Sequence, residues 1–404
     1  MDESGDRIFK ALAKIQPNLL DVLGKFQEVE LQDVEIELDE LELFLPQIAA
    51  SAARAVAETV AERPTELLRE VFAPPPVKYN TQIIEVKLGA TKTEGGSRDR
   101  TLTIGGETSP LFQLLQGKIK NAPVISLDVF DTKIPLAKPV KAHFSEVLED
   151  PAAWAKLAVE KFGAEMVNVH LTSIDPLVKD TPAAEASKTV ENILQAVKVP
   201  LAIGGCGDPQ KDLQVFERIA EMAKGERLLF NSVTLDMDMK KMAEAVSNNE
   251  HVTIAFTPMD MNKARELNRK LFEILPREQI VIDTTTAALG YGLDYAFTTM
   301  ERTRLAGLMG DPELAQPMAS GTTNAWAARE AWMKMPQEWG PTELRGPIWE
   351  TVTASTLLLA GVDYFMMMHP AAVKTLKDII RNMTQEKAWK PARYDWVGAR
   401  AGDV

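Results

Sequence analysis

One cysteine, Cys206, stands in a chain of 404 residues. A single thiol cannot make an internal disulfide, a C-x-x-C redox pair or a thiolate cage for zinc. An iron–sulfur cluster takes about four thiolates, so this chain alone holds none. Such sparing use of cysteine fits a reducing compartment, and a cytoplasmic location is expected. Basic residues are outnumbered, Lys+Arg 45 against Asp+Glu 58, for a net charge of -13. A global basic surface for nucleic acid is therefore lacking. No run of about 18 apolar residues occurs; the most apolar stretch, 356–368, is broken by Asp363. Met1-Asp2-Glu3-Ser4 opens no basic-then-apolar leader. Neither a nucleic-acid nor a membrane partner is expected. H-E-x-x-H, G-x-S-x-G, G-x-x-x-x-G-K-[ST] and a strand-linked G-x-G-x-x-G are all missing, which removes support for zinc-protease, hydrolase, P-loop and Rossmann chemistry. The D-x-H-x-x-G pattern by which some corrinoid domains present a histidine to cobalt is missing too.

What is present is ordinary globular material, 45% hydrophobic and 25% charged. From Glu28 to Leu45 apolar residues alternate with acids, and no Lys or Arg intervenes. That period suggests short antiparallel strands with one acidic face. The face reads either as an arm for a basic partner or as solvation that protects a sheet edge. Residues 48–72 are rich in Ala and Glu and helix-prone, and Pro74-Pro75-Pro76 reads as a stiff linker. The expected organisation is an acidic extension over 1–75, a β-hairpin leading into a barrel over 76–118, a barrel over 119–384 and an aromatic, basic tail over 385–404.

Gln82 to Leu88 and Thr101 to Ile104 form the hairpin pattern, with Gly95-Gly96 in the loop between them. Beyond it strands and helices alternate. Strands are expected at Val124–Phe130, Met166–Thr172, Leu201–Gly204, Leu228–Val233, His251–Phe256, Ile280–Thr285, Pro317–Ser320 and Tyr364–His369. One intervening helix starts at Asp208 as N-cap with Pro209 in its first position, turns Leu213, Phe216 and Ile219 inward and stops at Gly225. Another stripes Met261, Ala264, Leu267, Leu271 and Leu275 before Pro276; the last places Val373, Leu376, Ile379, Ile380 and Met383 on one face. Eight such units over some 260 residues predict an α/β fold, a (β/α)8 TIM barrel, in preference to a doubly wound sheet.

Working residues of such barrels sit at the C-terminal ends of the strands. Those ends hold Asp131, His170, Thr172, Gly204-Gly205-Cys206-Gly207-Asp208, Asn231-Ser232, Thr257, Asp283-Thr284-Thr285-Thr286, Ser320-Gly321-Thr322-Thr323-Asn324 and His369. The rim is polar yet short of acids and bases, which suits close approach of a large flat ligand or a partner surface. Gly204 to Gly207 read either as a ligand cradle or as the turn into the next helix; Asp283 reads as a ligand contact or a loop cap. His170 and His369 read most simply as hydrogen-bonded structural groups, Cys206 as a small buried residue and Met366 to Met368 as strand filling. Four of the seven tryptophans, Trp326, Trp332, Trp339 and Trp349, crowd one connection. They suit a docking surface or the packing of two helices on the barrel.

Several stretches carry a resemblance to a known family: Lys87-Leu88-Gly89-Ala90-Thr91-Lys92, Ile104-Gly105-Gly106, Val199 to Asp208 as V-P-L-A-I-G-G-C-G-D, L-G-Y-G-L-D ending at Asp294, Met300-Glu301-Arg302, Gly346-Pro347-Ile348-Trp349-Glu350 and Met368-His369-Pro370. In this order, over about three quarters of the chain, the sequence resembles the small (delta) subunit of the corrinoid iron–sulfur protein of the acetyl-CoA decarbonylase/synthase (CO dehydrogenase) complex. The resemblance implies a TIM barrel paired with a large (gamma) subunit that brings the iron–sulfur cluster and the corrinoid domain. It also implies a cobalamin shared with that subunit, which carries a methyl group from a pterin methyltransferase or methyl-tetrahydropterin to acetyl-CoA synthase. The chemistry is then the cofactor's, and no catalytic residue or metal ligand is assigned to this chain. The surface expected to face the corrin is Gly204, Gly205, Asn231, Asp283, Thr284, Ser320, Gly321 and Thr322. Two alternatives stay open: a self-sufficient pterin-dependent methyltransferase, with Asn231 and Asp283 gripping the pterin, and a scaffold subunit docked through the acidic arm and aromatic tail.

Overall fold

In the computed structural model, residues 78–110 and 119–384 are described. The acidic ribbon at 28–45, the helix-prone stretch 48–72 and the tail 385–404 lie outside them, so the expectations for those segments and the domain limits they set stay as stated. Two short strands, β1 (Val86–Leu88) and β2 (Leu102–Ile104), pair antiparallel with Val86 opposite Ile104. Gly89, immediately after β1, has φ +73, and a Cβ there would lie 2.5 Å from Pro200 Cγ. Only glycine lets the hairpin approach the barrel this closely.

Eight parallel strands follow: β3 (Val124–Phe130), β4 (Met166–His170), β5 (Leu201–Gly204), β6 (Leu229–Val233), β7 (Val252–Phe256), β8 (Ile280–Asp283), β9 (Ala319–Ser320) and β10 (Tyr364–Met367). They pair in the order β8-β7-β6-β5-β4-β3-β10-β9. A parallel bridge between Ile282 and Met318, with Ile282 N donating to Pro317 O at 2.8 Å, joins β8 to β9 and closes the ring. Nine helices are described: α1 (Lys138–Phe144), α2 (Pro151–Glu160), α3 (Ala183–Ala196), α4 (Pro209–Met222), α5 (Met239–Asn248), α6 (Met261–Leu271), α7 (Leu293–Leu308), α8 (Thr342–Leu359) and α9 (Pro370–Thr384). The architecture is the α/β TIM barrel expected from the strand–helix alternation.

Strands β4 and β8 end earlier than the pattern suggested, and β9 starts later. β4 stops at His170 because Ser173 N turns back to Asp131 Oδ1 at 2.9 Å. β8 stops at Asp283, whose own carboxylate takes Thr285 N at 2.7 Å and bends the chain there. β9 is reduced to two residues and is followed by 3-10 turns over Thr322–Ala327, Arg329–Ala331 and Gln337–Trp339 before α8 begins.

Alternation along the strands sorts the core into two sets. One side, including Ile125, Leu127, Val167, Ile203, Phe230, Ile282 and Phe365, packs on the helices. The other faces the lumen: Val124, Met166, Ala202, Leu229, Val252, Val281 and Tyr364 form an apolar floor with Val86, Leu88 and Ile104 of the hairpin, which plugs the bottom. The plug is latched from outside by Arg98, whose guanidinium donates to Val197 O at 2.7 Å, Leu194 O at 2.9 Å and Glu226 Oε2 at 2.8 Å.

The weak joint of the barrel is β9, and its partner there is a buried ionic cluster. Asp363 N donates to Met318 O at 2.8 Å, while the Asp363 carboxylate accepts Met318 N at 2.7 Å and the Arg304 guanidinium. Arg304, on α7, also holds Gly361 O and, at 3.2 Å, Glu107. Burial, with Asp363 close by, pushes the Glu107 carboxyl up to about 8. Removing one member of such a cluster leaves uncompensated buried charge. Arg304→Met is expected to lower the unfolding free energy of the full chain by roughly 3–5 kcal/mol, read as the shift of its urea denaturation midpoint. An unchanged midpoint would show that the closure does not depend on this contact.

Candidate functional site

Toward the C-terminal ends of the strands the lumen changes from apolar to polar. The inward positions become Ser126 and Asp128 on β3, Asn168 and His170 on β4, Asn231 on β6 and Asp283 on β8. Strand register places His170 beside Gly204, and Gly204 beside Asn231. These residues surround a cavity of about 380 Å³ at the rim, lined by Asp128, His170, Gly205, Asn231, Asp283 and Gly321 among others.

Its low wall is the Gly204–Asp208 turn. Asp208 caps α4, accepting Gln210 N and Lys211 N at 2.9 Å each. Asp212, one turn in, accepts Cys206 N at 2.8 Å and Gly207 N at 2.9 Å, so a buried carboxylate holds the loop from beneath. A Cβ on Gly205 would sit 2.3 Å from that carboxylate. The glycine cluster is thus the turn into α4, and its backbone also forms a cavity edge. Cys206 is half-buried on the same edge, and burial pushes its thiol up to about 11. Its type suggested a small buried residue; it is half-buried and packs against the core from this edge.

Asp283 is 5% exposed, and burial pushes its carboxyl up to about 7 against the opposing pull of the Thr285 N–H. It caps the loop after β8 and faces the cavity at once. Asn231 Nδ2 donates to Met366 Sδ at 3.3 Å, so this methionine is part of the site as well as strand filling.

On the opposite wall Asp128 gathers three donors. Asn168 Nδ2 reaches Oδ1 at 2.8 Å, His170 Nε2 stands 3.1 Å from Oδ2, and the Thr323 hydroxyl donates to the same oxygen. Burial opposes charge on His170, but the Asp128 carboxylate outweighs it and holds the imidazole above its ordinary value. The His170 ring stacks on Phe130, centroids 4.8 Å apart.

Of the expected surface, Gly205, Asn231, Asp283 and Gly321 come together at the cavity. Gly204 is buried under His170, and Thr284 is buried with its hydroxyl unpartnered. Ser320 and Thr322 are also buried, joined through the Ser320 hydroxyl to Thr286 and to each other at 2.8 Å. Those four support the rim and do not face the opening. His369 lies away from the cavity, against Trp326, and its Nδ1 accepts Ala371 N at 3.1 Å. Asp128 went unselected in the sequence, and Thr323 stood among the strand-end residues but outside the surface expected to face the corrin; the inward phase of β3, shared by Val124, Ser126 and Asp128, was the available signal for Asp128.

Among the described residues, no group of three or more His, Cys, Asp or Glu side chains is arranged to hold a metal ion, and no helix is long and apolar enough to cross a membrane. Residues 85–336 match the family described as CO dehydrogenase/acetyl-CoA synthase delta subunit. The acetyl-CoA decarbonylase/synthase complex subunit delta of Archaeoglobus fulgidus is 52% identical over 349 residues, covering 84% of this chain and 77% of that protein. The chain belongs to this delta subunit family. The delta subunit of Methanocaldococcus jannaschii is 43% identical and covers 94% of this chain and 96% of that one. A dihydropteroate synthase from Stenotrophomonas maltophilia is similar at a TM-score of 0.47 and 12% identity, covering 66% of this chain and 95% of that one.

Two outcomes follow for this delta-family chain. The Asp283 carboxyl titrates near 7 when folded and near 3.9 when unfolded. Its contribution is therefore fully present below about pH 3.9 and is lost as pH rises through 7. Asp283→Asn should match the wild type in urea denaturation at pH 4 and exceed it by a few kcal/mol, about 4 at most, at pH 8. Gly205→Ala must displace the Asp212 carboxylate and is expected to cost about 1–3 kcal/mol in the same measurement.

Proposed function

We propose that this chain is the barrel subunit of a heterodimeric corrinoid iron–sulfur protein that carries a methyl group between a methyl-tetrahydropterin and acetyl-CoA synthase. The observation that carries the reading is the 52% identity to a complex delta subunit across 84% of the chain. The family match over residues 85–336 includes Asp128, His170, Gly205, Asn231, Asp283 and Gly321 of the cavity. In this reading the large (gamma) subunit supplies the iron–sulfur cluster and the corrinoid domain, as a chain with one cysteine requires.

The rim does not enclose a corrin. A corrin macrocycle with its side chains is larger than the 380 Å³ cavity, and the two histidines nearest the rim are committed elsewhere, His170 to Asp128 and His369 to Ala371 N. The group would lie across the mouth, held mainly by the partner. When bound, a corrinoid supplies a metal centre that accepts and releases a methyl group. This chain's residues would shield it: the low backbone at Gly205 and Gly321 admits a flat surface to close range, and the walls exclude water. Asp283, near 7, is available both as a donor and as an acceptor at neutral pH.

One observation favours a second reading, a pterin-dependent methyltransferase acting alone: the cavity is the size of a small heterocycle site, and Asn231 and Asp283 both face it. A single experiment separates the two. The chain is purified without oxygen, alone and with its large partner subunit, and the visible spectrum, cobalt and iron of each are recorded. Colour, cobalt and iron in the pair only are the expected result. A colourless single chain that binds methyl-tetrahydropterin tightly and methylates added cobalamin would overturn the carrier reading in favour of the methyltransferase.

A further inference from the structure

The outward faces of the barrel helices differ in one place. Each described helix other than α8 presents exposed charge along its solvent side: Lys138 on α1, Lys156 on α2, Lys188 and Glu191 on α3, Arg218 on α4, Lys240 and Glu244 on α5, Lys263 and Lys270 on α6, Arg302 on α7 and Lys374 on α9. On α8 the one exposed charge is Glu343, in the first turn. From there to its end the exposed residues are Leu344 (56%), Ile348 (54%), Val352 (38%) and Leu359 (42%). Both other charged groups of this helix are turned inward: Arg345 and Glu350 are buried, the latter holding Met368 N and His369 N at 2.6 and 3.0 Å. Spacings of four and seven residues keep the exposed apolar positions on one stripe.

The stripe has neighbours of the same kind. A groove of about 670 Å³ beside it is lined by Leu289, Leu293, Phe297 and Thr356. Tyr291 and Tyr295, 58% and 68% exposed, stand at the start of α7, and Trp339 is 45% exposed and stacked on Trp349 at 6.4 Å. Trp349 is itself fixed by its Nε1 donating to Leu289 O at 2.9 Å. Rigid aromatic groups beside a charge-free helix face make the core of a protein interface, where charge is depleted and Tyr and Trp are enriched. The charge that lines the groove itself is acidic, Asp294, and Glu343 opens the stripe in the first turn of α8, while the exposed cations Arg302, Arg329 and Lys334 lie outside the groove lining.

We propose that the α8 stripe, with the α7–α8 groove, is the surface by which this chain is held in its complex, and that its occupant is another protein subunit with an apolar face and a basic fringe. The inference rests on the complex reading above and is independent of what the rim cavity binds. No charged residue is exposed on α8 after Glu343, and the groove carries one, Asp294; the association is hydrophobic at its centre and charge acts on orientation.

The test uses the full chain, tagged and co-expressed with the other subunits of the complex. Ile348→Glu with Val352→Glu changes two solvent-facing residues and is expected to leave the isolated chain's circular dichroism and melting temperature unchanged. In the complex it should reduce co-purification of the bound subunit by roughly tenfold or more, whereas Lys263→Glu on α6 retains it. Hydrogen exchange across 342–359 should be slowed in the wild-type complex and fast in the isolated chain. The proposal is overturned if the double variant co-purifies like the wild type. It is equally overturned if the isolated wild type is a dimer that the variant makes monomeric, or if the stripe is already protected in the isolated chain and opens on removal of residues 385–404. A wild type that retains no subunit at all would instead overturn the complex reading, and this one with it.

Discussion

Everything at the rim depends on the barrel being closed, and the closure runs through Asp363. A two-residue strand cannot hold a ladder by itself, so β9 is secured from its N-terminal side, where the Asp363 carboxylate binds Met318 N and the buried Arg304. The same guanidinium reaches Glu107, just past the hairpin, and so ties the plug to the seam. Bottom and side of the barrel are locked at one point. Gly321, Thr323 and Asn324 therefore reach the cavity from a firm base, although most of the connection after them is built of 3-10 turns.

Above this base the lumen is layered. The floor is apolar and shared with the hairpin, and the upper positions of the same strands are Asp128, Asn168, His170, Asn231 and Asp283. Polar groups at the closed end would have been left without partners at a cost of some kcal/mol each; at the open end they find one another or face the cavity. Even there they divide. Asp128 is saturated by Asn168, His170 and Thr323, while Asp283 has a single backbone donor and is pushed up toward neutrality. The first wall is preset and rigid, and the second retains capacity to bond a ligand or a partner group. A delta-family subunit thus offers two faces of different character, a small polar cavity at the strand ends and an apolar stripe along one outer helix.

How much of this was legible beforehand varies with the kind of interaction. All eight strands and the hairpin were readable, because alternation and the Gly, Pro and Asp punctuation around them are local. Asp208 as a cap was readable for the same reason. The ends of β4 and β8 were not, since they are set by Asp131 reaching Ser173 and by a turn that Asp283 makes for itself. Ser320, Thr322 and Thr284 looked like rim residues by position, yet their side chains turned out to be rim supports. Asp128 looked like an interior residue of a strand and is a cavity wall. Position at a strand end says that a residue is near the rim; only the tilt of the strand says which way its side chain points.

The sequence by itself determined the class of fold, the order of its elements and the membership of a delta subunit family, because these follow from local periodicity and from motifs strung along one chain. It also determined that this chain offers a single thiolate, where an iron–sulfur cluster takes about four. Tertiary structure decided the rest. Burial raises Asp283 and leaves Asp128 and His170 paired, register sets Gly204 between His170 and Asn231, and the inward rotation of Arg345 and Glu350 strips α8's outer face of charge. Each is a matter of which distant side chains meet, and no pattern along the chain encodes that without the fold.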